Sequence, residues 1–392
     1  MRTRWYLTIV LLAIAAAPAS GSRRQGVTIR VPQDMPTIQA AVDAAASHDS
    51  ILVDRGTYPG GVIVPPAKTG ITIRGVDRNA VVLDGADARD NGIVVHADGV
   101  TIQNLSAHNF RKNGVYWDGV SGFTGSYLTV WNVLGYGIYA EDSTDGLIEQ
   151  DYVSGAADAA YYIGECKPCR ATIRRVVARL SAVGYSGTNA SGALVIRDSV
   201  WDRNGAGILP NTYANEQDPP QESALMFGNV VTRTGRARVP VNTPLVGFYG
   251  IGIGIAGGNR NGVIGNTVTG SSRYGIAVFR TQRSIPPPPS TGPPWRPQGN
   301  GVRGNAVRGS GIADLALSAT ARSGNCFRAN RVTKTLPAKL QRRSCARAGG
   351  DLSVSRALEA PFRTIFSRGI QALRPIPYTA VPAPPPQPNA PA

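Results

Sequence analysis

Tyr116, Tyr139 and Tyr162 stand 23 residues apart, and an acidic side chain follows each at a near-constant offset: Asp118, Glu141 and Glu165. Aromatic rings cover the apolar faces of pyranose sugars, while carboxylates accept sugar hydroxyls or act as acid and base on a glycosidic bond. Glu141 with Glu165 is the kind of pair a hydrolase needs, with carboxyls about 5–9 Å apart. A lyase or epimerase working on a uronate would use Glu165 as the base for the C5 proton. Arg170, Arg174 or Arg175, or a Ca²⁺ ion, would then neutralise the sugar carboxylate. The catalytic candidates are therefore Glu165, Glu141, Asp118 and Arg174. The three histidines, His48, His96 and His108, are too dispersed along the chain for a His-based metal site.

The elements that hold these side chains must repeat with them. Gly70, Gly92, Gly114, Gly137, Gly184, Gly207, Gly252 and Gly275 each open a short apolar or aromatic run, with Ala160 in the matching place. Short strands at a period too small for helix pairs predict a coil of strands, a parallel β-helix solenoid. Because alternate strand residues face opposite ways, Ile93, Val115, Trp117, Ile138, Ile208, Ile253 and Ile276 are expected inside. Tyr116, Asp118, Tyr139, Glu141 and Tyr162 then face outward, where the tyrosines would stack about 4.8 Å apart. Cross-strand stacking for stability alone explains such a column as well.

Three insertions follow the first strand of their units, GECKPC, NTYANEQDPPQE and RTQRSIPPPPSTGPPWRPQGN, and must leave one corner of the coil. Loops stacked at one corner build a wall, and insertions on one face mark a binding side. Residues 233–249 form a further insertion, carrying Arg233, Arg236 and Arg238, at another corner. A groove between these walls would run past Tyr161, Tyr162, Glu165, Tyr185, Asn189, Asn211, Tyr213 and Glu216, with Trp295 as an aromatic platform in the Pro-rich insert.

The chain has 392 residues, 46 glycines, four cysteines and a net charge of +16. Such a surface attracts polyanions but by itself names no partner. Cys166 and Cys169 lie several coils from Cys326 and Cys345, roughly 20 Å or more at about 4.8 Å per coil, so the geometry predicts two local disulfides. The same separation excludes a joint Cys₄ zinc site. Asn229, Asn266, Asn305 and Asn330 recur at one place in the unit and are expected to form a corner ladder. Residues 1–19 read as a secretory signal peptide, with a basic start, an apolar stretch and an A-x-A site at Ala17-Pro18-Ala19. Residues 20–49 form an N-terminal segment with a capping helix, its apolar stripe being Ile38, Val42 and Ala45, with Pro36 in the first turn. The coil is expected over 50–335 and a disulfide-tied cap over 336–372. The Pro-rich tail, 373–392, is expected to be extended and disordered.

TIQAAVDAA, ILVDRGTY and GITIRG, followed by repeats of the GI-x-V type, resemble the right-handed parallel β-helix superfamily over roughly residues 27–335. That superfamily includes pectin methylesterases, pectate lyases, alginate epimerases and NosD-type carbohydrate-binding repeat proteins. The chain is most similar to secreted bacterial right-handed β-helix repeat proteins, and it lacks the QDTL, DFIFG and WIDH signatures of the enzyme branches. The resemblance implies an all-β, single-stranded right-handed parallel β-helix that is secreted or held at the cell surface. The expected partner is an acidic polysaccharide; nucleic acid is not expected, nor membrane contact once the leader is cleaved, and a monomer is expected. Recognition without turnover, cleavage or modification of the glycan, and a purely structural spacer all stay open.

Overall fold

The computed structural model describes residues 26–283, 292–360, 364, 367 and 374–391, so the leader sequence lies outside the described residues. Strands stack in register into three parallel sheets of 12, 11 and 10 strands, here called A, C and B. One coil runs Thr101–Gln103 in sheet A, Ser106–Phe110 in sheet B and Val115–Asp118 in sheet C, and the next begins at Thr124–Ser126. Every neighbour in a sheet comes from the adjoining coil, so the backbone ladders run along the axis of the stack.

The inward positions of sheet C are as expected: Ile93, Val95, Val115, Trp117, Ile138, Ala140, Ile253, Ile255, Ile276 and Val278 are fully or almost fully buried. The opening glycines are fixed by close approach. A Cβ on Gly137 would lie 2.4 Å from Val153 Cγ1 and 2.6 Å from the Ala160 carbonyl oxygen.

The asparagine ladder forms at the corner between sheets A and B. Asn229 Nδ2 donates to Asn266 Oδ1 (3.0 Å), Asn266 to Asn305 (2.9 Å) and Asn305 to Asn330 (2.8 Å). Asn266 Nδ2 also serves the Met226 carbonyl (3.0 Å). A second ladder, Asn261, Asn300 and Asn325, runs beside it and starts from Gln221. Removing one rung strands buried partners on both sides, so Asn266→Ala is expected to cost about 2 kcal/mol, read as a shift in denaturant midpoint at unchanged m.

The coil begins earlier than expected. Thr28–Val31 already pairs with Ser50–Val53 in sheet A. The helix Ile38–Ala44 takes the place of the other strands of that first turn and buries Ile38, Ala41 and Val42. Thr37 is its N-cap, accepting from Ala40 N, so Pro36 lies one residue before the cap and not in the first turn. Both local disulfides, Cys166–Cys169 and Cys326–Cys345, are present.

Two expectations are corrected. The cap expected over 336–372 is only partly an end cap. Leu340 closes the last coil beside Cys326–Arg328, but the helix Leu352–Leu358 lies on the outer face of sheet C. There its Val354 and Leu358 join the 233–249 insertion in a second apolar core with Leu209, Ala256, Ala277 and Phe279. Residues 374–391 of the tail are extended but docked, not disordered. They run from Val239, past Asn132, to Arg78 and Asn104. Among the described residues no helix is long and apolar enough to cross a membrane.

Candidate functional site

The second core divides the outer face of sheet C in two. Beyond Tyr162, outward positions such as Ser186, Thr188, Leu209 and Asn211 are buried, whereas Val94, His96, Tyr116, Asp118, Tyr139 and Glu141 on the earlier coils keep partial exposure. The site stands where the open face meets the wall loop 212–222.

Register places Tyr116, Tyr139 and Tyr162 in one column and Asp118 beside Glu141 in the next outward one. Tyr116 and Tyr139 stack with centroids 4.4 Å apart at 12°, and Tyr162 meets Tyr139 edge-on at 4.9 Å. Tyr136, which the repeat pattern treats as a turn residue ahead of Gly137, packs against Tyr139 at 4.4 Å and Tyr162 at 5.0 Å. An aromatic in a turn between two glycines was the one signal that could have found it. The stack spends most ring faces on each other, so edges, hydroxyls and the free face of Tyr116 are what it offers a ligand. Tyr162, expected to be open, is 3% exposed because the loop and Tyr136 cover it.

The Tyr116 hydroxyl donates to Glu141 Oε2 at 2.5 Å and so fixes that carboxylate. His96 Nδ1 lies 3.3 Å from Asp118 Oδ2. Glu165 follows the end of its strand at φ +55°, a left-handed backbone. The same turn on other coils carries Gly119, Asp142, Asn189 and Gly257, residue types that tolerate this conformation. A glutamate there is the exception in the column. The residue is 8% exposed, and Oε2 accepts from Gln217 N at 3.3 Å. Burial, with the Glu216 and Glu141 carboxylates close by, pushes its carboxyl up to about 7. Burial also raises Glu216, which the Thr188 and Tyr162 hydroxyls contact, and Asp142, which faces Asp218, Asp118 and Glu141.

Other candidates are placed elsewhere. Tyr185 points into the coil, fully buried, and donates to the Ile163 carbonyl at 2.9 Å; it sits in the inward column of Tyr161 and Ile208. Asn189 holds the wall loop through the Tyr213 and Glu216 carbonyls (2.8 and 3.1 Å). Asn211 is buried between Ser186 and Thr188, and Tyr213 belongs to the second core. Arg174 projects from sheet A and pairs with Glu149 at 2.8 Å; Arg175 shares that partner and Arg170 grips Asp145. None of these three guanidiniums joins Glu165. Arg233 pairs with Asp202, and Arg236 and Arg238 bind carbonyls. Trp295 lies further along the stack, beside Thr281. A Ca²⁺ ion needs six to eight oxygens. Among the described residues no group of three or more His, Cys, Asp or Glu side chains is placed to hold a metal ion.

Of the carboxyls raised by burial, three are raised furthest: Glu165 and Asp158 to about 7 and Asp151 to about 8. Each binds its proton more tightly in the folded chain than in the unfolded one. Their contribution to stability is therefore fully present below the ordinary carboxylate range and is lost as pH rises from about 4 through 7–8. Carboxylates held low, such as Asp145 beside Arg170, contribute unchanged across this window. The melting temperature is expected to be higher at pH 5.5 than at pH 8.5, by about 2 °C or more in a calorimetric scan.

A sequence-family model for the right-handed β-helix region matches residues 113–286. The chain is a right-handed parallel β-helix. Among solved structures, this β-helix is similar to the A-module of a mannuronan C-5 epimerase from Azotobacter vinelandii. The identity is 13%, covering 76% of this chain and 86% of that one, with a TM-score of 0.48. An alginate lyase from Paenibacillus sp. gives 16% identity, 78% and 94% coverage and a TM-score of 0.43. The catalytic domain of a family 87 α-1,3-glucanase, bound to nigerose, gives 13%, 80% and 70%, and 0.46. At these identities the likeness is one of β-helix architecture alone. No curated protein sequence matches the chain.

Proposed function

We propose that this β-helix binds a polysaccharide across the Tyr116–Tyr139 face and hydrolyses a glycosidic bond there. Glu165 is the general acid and Glu141, whose carboxylate lies within hydrogen-bond reach of it before a sugar enters, the partner carboxylate. The observation that carries this reading is Glu165 itself: a buried carboxyl raised to about 7 among other carboxylates. It occupies a left-handed backbone position where a glutamate costs stability and where Gly119, Asp142, Asn189 and Gly257 stand on other coils. A carboxyl half-protonated near neutral pH can donate to the leaving oxygen, while a second, held by a tyrosine hydroxyl, serves as nucleophile or base.

The electrostatics favour an uncharged sugar at the cleavage point, in place of the acidic polymer that the net charge suggests. Asp118, Glu141, Asp142, Glu165 and Glu216 surround it, and the arginines that would neutralise a uronate are engaged on sheet A. Hydrolysis needs no such cation, whereas C5 proton abstraction does.

Incubation of the purified chain with neutral and uronate-rich polysaccharides, followed by mass spectrometry, tests the proposal. Oligosaccharides carrying one added water are expected from a neutral polymer. Unsaturated products would replace hydrolysis with elimination, and the absence of any product across the panel would reduce the site to a binding face.

A further inference from the structure

We propose that a second site, in the cavity beside Trp295, binds the acidic group of a sugar, a carboxylate or sulfate ester on a pyranose ring. The cavity has a volume of about 560 Å³, and Arg283, Arg296, Arg322, Trp295, Asn259 and Gln298 line it. Its charged lining is wholly cationic. Among the described residues the Arg296 and Arg322 side chains have no carboxylate partner, and the Arg283 guanidinium lies over the Trp295 ring, 5.4 Å from its centroid. Residues 284–291, SIPPPPST, contain no acidic residue that could supply one. Three guanidiniums converging on one cavity repel each other, and an anion that each can grip with two parallel N–H groups relieves that repulsion.

The site is also pre-built. Trp295 and Thr281 exchange two backbone hydrogen bonds of 3.1 Å, and the indole N–H donates to the Arg283 carbonyl at 3.1 Å. That same carbonyl accepts from Ala214 N at 2.7 Å, and Thr281 Oγ1 donates to the Thr212 carbonyl at 2.9 Å. Trp295 and Arg283 are thereby fastened to the back of the wall loop, so little ordering is left to oppose binding. The indole gives an apolar wall for a sugar ring, and Asn259 and Gln298 add amides suited to hydroxyls. Guanidiniums beside an aromatic and amides fit an acidic pyranose better than a bare anion.

This site does not depend on hydrolysis at Glu165. Strand Tyr274–Phe279, which leads into it, is four sheet C strands beyond Ala159–Gly164, or roughly 19 Å at about 4.8 Å per strand.

Calorimetric titration of the full chain with tetragalacturonate, with a sulfated galactan tetrasaccharide and with cellotetraose tests the inference. At least one acidic probe is expected to bind. Its affinity should fall about tenfold or more in the Arg296→Ala, Arg322→Ala double variant, and again on raising the salt from 50 to 300 mM. Both arginines are exposed, so the double variant should keep the parent melting temperature and its turnover of a neutral polymer. Trp295→Ala should weaken the acidic sugar while leaving inorganic sulfate unchanged. Three outcomes would overturn the proposal: neither acidic probe binding, the double variant binding as the parent does, or cellotetraose binding as tightly. Sulfate binding with the affinity of the sugar would reduce the site to one for simple anions and overturn the sugar assignment.

Discussion

Glu165→Gln is expected to lower kcat/KM on a neutral polysaccharide by about 10³-fold, because an amide cannot protonate the leaving oxygen. KM should change little, since the amide keeps the size of the side chain and its acceptor for Gln217 N. The limb of the pH–rate profile near 7 should vanish with it. Glu141→Gln should lose a similar factor while keeping that limb, moved to lower pH by the loss of the neighbouring charge, which separates the two roles. Glu165→Asn tests the cost of the arrangement. Asparagine suits the left-handed backbone and removes a buried acid that neighbouring carboxylates oppose. The variant should be inactive yet at least as stable as the parent, by up to about 1 kcal/mol. Should Glu165→Asn unfold the chain, the residue would be structural, and its backbone conformation would no longer point to function.

Removing residues 374–392 is expected to lower stability by about 3 kcal/mol, roughly 5 °C in a calorimetric scan. Arg78 is the centre of the effect. It is 1% exposed, and its guanidinium contacts Thr129 Oγ1 and the Leu128, Gln150 and Pro388 carbonyls. Its backbone N donates to Asn389 Oδ1, Asn104 Oδ1 accepts from Ala390 N, and Val381 packs over Gly155. Ordering a chain of this length normally costs more than a few hydrogen bonds return. Here eight of residues 374–391 are proline, so φ is already set at those positions and the loss is small. Replacing Pro384, Pro385 and Pro386 with glycine should therefore release the segment almost as completely as deleting it, which limited proteolysis would detect.

The coil was legible in the sequence because its signal is local and repeated. A glycine followed by an inward apolar residue recurs in nearly every unit, and the register of Tyr116, Tyr139 and Glu141 follows from counting. What covers the coil was not legible. Leu209, Asn211 and Thr188 occupy outward positions by the same count, yet all three are buried, Leu209 in the core built by residues 233–249 and 352–358 and Thr188 against Glu216 of the wall loop. Nothing in strand periodicity says where an insertion folds back. Tyr185 was misplaced for a simpler reason: its neighbours suggested a groove, although its own parity in the strand sends it inward. Arg174 was near Glu165 in sequence but turned a corner onto another sheet. The tail was misread because proline-rich composition describes an unbound segment and says nothing of a surface shaped to receive one.

The docked tail also decides how the molecule would bear a load. Residue 26 adjoins the strand Thr28–Val31, and the Pro391 carbonyl accepts from Arg74, two strands further along sheet A. Both ends of the described chain thus emerge at the helix-capped end of the stack, roughly 10 Å apart along its axis. Pulling on those two points would peel the tail away before it could strain a single coil, so the strap would act as a mechanical fuse.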